Sequence, residues 1–414
     1  MTDVCSPAGE NLLSVKDALD RIRASILPVR GSERISLKRA LHRVLAEALF
    51  APADIPGFSN ASMDGYACRC EKGQPFRRTL VGTSMAGHPY SKVLQPGECI
   101  RIFTGAMLPQ GADCVAMQEH VQVDADSVHF PGNLRPGENI RLPGEDIAKG
   151  QLLLQSPKKL TAMDLGLLAS AGIYHVRVKR PLQIAFLSTG DELTALGQPL
   201  EPGRIYDSNR YTLTGLLADY AAVDLGVVGD DRASLRQCII DSAANHDVLI
   251  TTGGASVGDA DYIAAILAEI GQVDFWKIAM KPGKPLAYGK IGECCFFGLP
   301  GNPASVIATF QQFVAPALRL LSGAEKTTPL RLKVRCDSTL QKSPGRQEFQ
   351  RGILSQYEDG SLTVASAGKQ GSHILTAVSR ANCYIVLPAE SAGVDKGEQV
   401  VVEPFSVLLQ ETEA

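Results

Sequence analysis

The chain has 414 residues, is 45% hydrophobic and 21% charged, and carries a net charge of −3 with a pI near 6.2. This is an ordinary globular composition, long enough for roughly three domains, and it excludes the strongly basic balance of a nucleic-acid binder. No apolar run in the sequence approaches the roughly 20 residues of a membrane span, and the first residues carry acids without a signal-peptide core, so a cytoplasmic protein with no nucleic-acid or membrane partner is expected.

Ser14 and Asp17 have capping-box spacing at the start of a helix whose one face holds Val15, Ala18, Leu19, Ile22 and Ile26, with Pro28 as its stop. A second helical pattern covers about 37–49. The stretch 51–67, APADIPGFSNASMDGYA, is dense in proline, glycine and turn formers and marks a boundary. Short strands and turns then run from about 75 to 143, as in a small β-rich domain. RPGENIRLPGEDI (135–147) reads as two consecutive turns. A helix at 161–171 is predicted, with Thr161 and Asp164 as its capping box and Gly172 as its end.

From 181 to 322 strands and helices alternate. LQIAFLSTG, VDLGVVG, DVLITTGG and VDFWKIAM read as strands. Helices are predicted at 208–221, 232–245, 259–270 and 303–321, and PLAYGK with CCFFGLP forms a hairpin. The alternation predicts a parallel, doubly wound sheet, which binds ligands beyond the carboxyl ends of its strands. After Ser322 only short strands recur, which predicts a small β-barrel or sandwich.

Ten cysteines include Cys68 and Cys70, two apart, and the adjacent pair Cys294 and Cys295, but no C-x-x-C. The spacings fit neither a zinc ribbon nor a disulfide framework, and the histidines are scattered, so reduced buried thiols are expected and a zinc site is not.

The ligand-facing ends of the predicted strands converge on one chemistry. The first gives Ser188, Thr189, Gly190, Asp191 and Glu192, and the second Gly229, Asp230 and Asp231. The third gives Gly253, Gly254, Ser256, Gly258, Asp259 and Asp261, the glycine-rich turn before a helix. Lys277, Lys281 and Lys284 follow, then Pro300, Gly301, Asn302, Pro303 and Ser305. Glycine N–H groups at a helix start and lysines hold anions. Carboxylates hold a hard cation such as Mg²⁺, usually bridged to phosphates. Taken singly, Asp259 or Asp261 could simply cap a helix, and the two lysines Lys277 and Lys281 could be solvated residues on one strand face. Together the loops describe a site for a phosphorylated ligand and a metal ion.

The ordered motifs SNASMDGYA (59–67), RIFTGAMLPQGADCVAMQEH (101–120), RPGENIRLPGEDI, STGDEL, YDSN, TTGGASVGDADY, FWKIAMKPGKP and GLPGNPAS resemble those of the molybdopterin molybdenumtransferases, the MoeA family that includes the gephyrin E domain. The resemblance runs along essentially the whole chain. It implies an α/β multidomain fold with four parts: a discontinuous helical, elongated domain (1–50 and 144–180), a small β-rich domain (51–143), an α/β molybdopterin-binding domain (181–325) and a C-terminal β-barrel (326–414). It implies a homodimer that takes adenylylated molybdopterin and molybdate, cleaves the pyrophosphate bond with a divalent cation, releases AMP and loads molybdenum onto the dithiolene.

By position, the resemblance assigns Glu192, Asp230 and Asp261 to metal binding and hydrolysis. Lys277 and Lys281 fall to molybdate or phosphate oxygens. Gly253, Gly254 and Ser256 fall to the phosphate cradle, with Pro300 and Pro303 shaping the next loop. Asp64 and Thr104 would face the α/β site of the other subunit. Arg141, Asp146, Arg351 and Ser372 are weaker candidates, readable as structural. Met107 stands where the family usually has proline. A molybdopterin adenylyltransferase is the partner that would supply the substrate. Two rival readings are that adenylyltransferase itself, which lacks the SMDGYA domain and the barrel, and a non-catalytic pterin-binding scaffold. A tungstate preference is a third, since lysines and glycines do not separate the two oxyanions.

Overall fold

The computed structural model describes residues 12–71, 73–229, 231–253, 262–405 and 410–412. The α/β unit is built on a six-stranded sheet. Val223–Val228, Ile184–Thr189, Val248–Thr252 and Cys294–Leu299 lie side by side and parallel. Pro285–Ile291 and Gln272–Lys277 extend the sheet antiparallel. The sheet is therefore mixed: parallel over four strands, as the alternation predicts, and antiparallel beyond them. The turn between Ile291 and Cys294 is too short for a crossover, so it makes the predicted hairpin.

The strands Ile184–Thr189, Val248–Thr252 and Cys294–Leu299 are buried at every residue, as a strand covered on both faces must be. One face packs Phe186, Ile250 and Phe297 against Leu213 and the helical run from Pro303 to Leu321. The other packs Leu187, Leu249 and Phe296 against Leu235, Ile239, Ile266 and Leu267. The helical run 303–321 is 19 residues long with a mean hydropathy of 1.2, enough by length and composition for a membrane span although Gln311, Gln312 and Arg319 interrupt it. Its apolarity is accounted for by the core it fills: Val306, Phe310, Phe313, Val314, Leu318 and Leu321 are all buried there. It widens into a π turn over Phe310–Val314, where the Ala315 N–H reaches back to the Phe310 carbonyl. The cause is Pro316, which has no N–H to continue the ladder and whose ring crowds the preceding turn.

The helix Val15–Ser25 starts as predicted, with Ser14 Oγ accepting from the Asp17 N–H at 3.0 Å. Its place differs from expectation. Val15, Ala18, Ile22 and Ile26 join the α/β core rather than the segment 144–180. Leu13 ties this helix to the sheet edge, donating to the Lys277 carbonyl and accepting from the Ala279 N–H.

The helix expected over 37–49 does not form. Only Leu37–Arg39 makes a 3₁₀ turn. The backbone of the next residues bonds across to another segment instead: His42 N–H to Leu160 O, Leu45 N–H to Lys158 O, and Ala46 N–H to Arg177 O. Tertiary pairing outweighs the local helical pattern here. The elongated unit is thus sewn from Ser32–Ser36 against His175–Lys179 and Leu49–Phe50 against Leu152–Leu154. Its core holds Ile35, Leu45, Leu160, Leu168 and Val178. The predicted capping box at Thr161 and Asp164 opens the helix Ala162–Ser170.

The β-rich unit is a six-stranded sheet in the order Cys114–Met117, Gly65–Cys68, Glu98–Ile102, Phe76–Ser84, Ser127–Phe130, Gln122–Asp124. Gly65, in the SMDGYA stretch read as irregular, already belongs to a strand, and a Cβ there would strike the Ala116 carbonyl. The C-terminal strands Leu332–Cys336, Gln347–Gln356, Leu362–Ser366, Cys383–Leu387 and Gln399–Pro404 close on themselves as a five-stranded barrel. Met280–Lys281 pairs alongside Gln347–Glu348, so the loop after the α/β sheet edge is stitched to the barrel.

Candidate functional site

Three parallel strands end side by side at Thr189, Thr252 and Leu299, and the loops that follow carry most of the predicted residues. Ser188 Oγ and Thr252 Oγ1 are 2.9 Å apart and both residues are buried. The Ser188 hydroxyl therefore ties strand ends together, and it does not face solvent as a ligand donor would. Thr189, also buried, reaches the Thr252 carbonyl at 3.5 Å. Gly253 closes the edge: its N–H donates to the Leu299 carbonyl, and its φ of +87° lies in the region that favours glycine. A Cβ there would stand 2.7 Å from the Thr189 carbonyl oxygen.

Past Thr189 the chain turns at Gly190, φ +139°, and the Glu192 carboxylate folds back over the space a Cβ would fill. Asp191 and Glu192 are exposed. An Asp191 carboxylate oxygen lies 3.5 Å from where a Gly229 Cβ would stand, so this acid sits between the ends of the first and second strands. Arg204 steadies the loop by donating to the Asp191 carbonyl at 2.8 Å. Asp230, Gly254, Ser256, Gly258, Asp259 and Asp261 lie outside the described residues.

Pro300 is buried, whereas Gly301 and Asn302 are exposed at the start of the last helix. The Asn302 carbonyl accepts from the Ser305 and Val306 N–H groups, and Pro303 takes the first helical position. Asn209 Nδ2 donates to the Gly301 carbonyl at 2.7 Å, which locks this loop to the helix capped by Asp207. Asn209 Oδ1 is buried without a hydrogen-bond partner among the described residues. Asn209 is the last residue of the YDSN motif, and no spacing signal points to its role.

Lys277 and Lys281 do not share one strand face. Lys277 ends the strand Gln272–Lys277, whereas Lys281 belongs to the pairing with the barrel, beyond a bend at Ala279. Ile278 N–H donates to the Lys284 carbonyl, so 277 and 284 form the two sides of one tight loop. Lys281 Nζ is 3.4 Å from Glu348 Oε1, a carboxylate almost wholly buried, and Gln350 Nε2 donates to the other oxygen at 2.9 Å. The barrel thus supplies the counter-ion that aims Lys281, which the sequence did not reveal. Nearby, buried Lys342 donates to three carbonyls, and burial lowers its pKa. Arg351 is fully buried, donating to the Gly371 carbonyl, and burial lowers its pKa too. Ser372 contributes its carbonyl, which accepts from the Ala304 N–H.

Asp64 and Thr104 are brought together in the β-rich unit. The Thr104 hydroxyl and N–H both donate to Asp64 Oδ1 at 2.7 Å, and these bonds hold the Asp64 carboxyl below the usual carboxylate range. Arg101 stands over the rings of Tyr66 and Phe103 beside them. Exposed Met63 and Met107 flank the pair, so Met107 occupies surface and removes no polar group.

Three family profiles match in order: the MoeA N-terminal region (domain I and II) over residues 13–172, a probable molybdopterin binding domain over 185–320, and the MoeA C-terminal region (domain IV) over 333–405. The chain is 42% identical to a molybdopterin molybdenumtransferase of Haemophilus influenzae, across 94% of this chain and 99% of that protein. It is 37% identical to the molybdopterin molybdenumtransferase of a Nostoc species, across 90% and 88%. The crystal structure of a molybdopterin biosynthesis MoeA protein from Pyrococcus horikoshii superposes with a TM-score of 0.81 at 29% identity, covering 95% of this chain and all of that one.

Proposed function

The chain belongs to the molybdopterin molybdenumtransferase (MoeA) family, and on that premise we propose that it places molybdenum from molybdate on adenylylated molybdopterin, cleaving the pyrophosphate bond and releasing AMP. It is a transferase of molybdenum cofactor biosynthesis. The observation that carries the finer reading is the sheet edge itself, where open space stands over Gly301 and exposed Asp191, Glu192 and Lys277 share the edge with half-buried Lys281.

In this reading the backbone from Gly253 onward cradles the phosphates, as a glycine turn at a helix start does. Lys281, aimed by Glu348, and Lys277 take up oxyanion charge from molybdate or the leaving phosphate. Oxygen donors suit Mg²⁺, and Glu192, Asp230 and Asp261 are the residues that would hold it. Bound there, the ion would neutralise the pyrophosphate. The phosphoanhydride P–O bond breaks, water or a molybdate oxygen supplies the new P–O bond, and AMP leaves. Lys284, Ser188 and Thr189 support the loops.

We assign the functional unit as a homodimer acting in the cytoplasm. Half-buried Asp64 and exposed Thr104 are pre-paired on a unit distinct from the sheet edge. That arrangement suits completion of the partner's site. A molybdopterin adenylyltransferase is the class of enzyme that must supply the substrate.

The test is AMP release from adenylylated molybdopterin with Mg²⁺, with and without molybdate. Molybdate-dependent release is expected. Tight pterin binding without release would make the protein a scaffold, and formation of adenylylated pterin from ATP would make it the preceding enzyme.

A further inference from the structure

One face of the β-rich sheet gathers sulfur. Cys68, at the end of Gly65–Cys68, is paired with Cys99 on one side and Cys114 on the other. Cys70 follows two residues later and packs on the same cluster. Cys70 Sγ, Cys114 Sγ and a carboxylate oxygen of Asp113 lie within 4.8 Å of one another. Cys68 Sγ is 3.6 Å from Cys114 Sγ. The cluster is held from its own backbone: the Cys70 N–H donates to Asp113 Oδ1 at 2.8 Å, and the Asp113 N–H donates to the Cys68 carbonyl at 3.0 Å.

We propose that Cys70, Cys114 and Asp113, with water as the fourth donor, bind one zinc ion that pins the edge of the β-rich sheet. A zinc–sulfur bond of about 2.3 Å gives a tetrahedral site with sulfurs about 3.8 Å apart. The donor atoms of Cys70, Cys114 and Asp113, all within 4.8 Å of one another, stand close to that spacing. Thiolates with one carboxylate suit zinc and not the hard ions Mg²⁺ or Ca²⁺. Cys68 and Cys114 are buried, while Cys70 and Asp113 reach the surface, which gives the ion a way in.

Spacing along the chain argued against zinc because C-x-C is not a knuckle pair. The register of Gly65–Cys68 on Cys114–Met117 supplies the second half from a distant segment. Zinc binding displaces the thiol protons to solvent and weakens as pH falls.

The full-length chain, reduced and stripped with chelator, is titrated with ZnCl₂ against a chromophoric chelator and, separately, with CoCl₂. The expected result is one zinc per chain, a thiolate-to-cobalt charge-transfer band, proton release on binding, and protection of Cys70 from alkylation. Cys70→Ser and Cys114→Ser should lose tight binding. Asp113→Asn, which keeps the acceptor for the Cys70 N–H, should weaken it while the chain stays folded. Cys99→Ser, outside the donor group, should retain it. Absence of stoichiometric zinc in the reduced chain, retention by both Cys70→Ser and Cys114→Ser, or a Cys68–Cys114 disulfide that survives reductant would each overturn the proposal.

Discussion

Gly253→Ala probes the sheet edge most sharply. The new methyl would stand 2.7 Å from the Thr189 carbonyl oxygen and 2.9 Å from Thr189 Oγ1, and the residue would keep a φ of +87°. The left-handed conformation costs a side-chain-bearing residue about 1–2 kcal/mol, and forcing a methyl into packed backbone costs about 1–3 kcal/mol. The two together predict a loss of about 2–5 kcal/mol, measured as a lower urea midpoint at unchanged slope. Turnover should fall as well, because Thr189 and Thr252 carry the loops of the proposed ligand site. Gly301→Ala is the matched control, since nothing lies within 4 Å of its Cβ position. It should fold normally, so any lost turnover would report ligand approach to the 301 backbone. A Gly253→Ala chain within about 0.5 kcal/mol of the parent, the usual range of neutral surface changes, and with full turnover would refute the reasoning.

Asp64→Asn and Lys281→Gln should each be inactive and folded. Co-expressed, they should recover about a quarter of parental activity, because half the dimers are mixed and each mixed two-fold dimer has one intact site. No recovery would place both residues in one subunit's site. Asp261→Asn should abolish AMP release without changing the oligomer, and full activity would remove that acid from the metal site. Acid stability should depend on Asp247, which takes a two-pronged bridge from Arg180 at 2.7 Å. Burial pushes its carboxyl up, but the bonds from Arg180 and the Gln183 N–H outweigh this and leave it lowered. A carboxyl lowered on folding stabilises above its unfolded value near 3.9 and loses that contribution as pH falls through the folded value. Asp247→Asn should flatten this acid limb of the stability curve, and an unchanged limb would show that the bridge contributes nothing.

Much of the fold was legible because the local signals and the tertiary structure agree. Ser14, Thr161 and Asp207 cap the helices their sequences announced. The misreadings came where long-range pairing decides. Residues 37–49 have a helical period, yet their N–H groups bond to 158–160 and 177. Lys277 and Lys281 have strand spacing, yet a bend at Ala279 and the pairing of Lys281 with the barrel separate them. At the site, glycine turns and charges were visible as residue types. What the sequence hid were the partners that aim them: Glu348 for Lys281, Asn209 for the Gly301 loop, and Thr252, which draws Ser188 inward. Each comes from a segment distant in sequence, where no spacing rule reaches.

The most direct test of the account is to measure AMP and pterin-bound molybdenum in one reaction with adenylylated molybdopterin, molybdate and Mg²⁺. The account predicts that the two products rise together in equal amounts and that both require molybdate. AMP accumulating without molybdenum on the pterin would contradict it, leaving hydrolysis of the pyrophosphate bond as the only chemistry at this sheet edge.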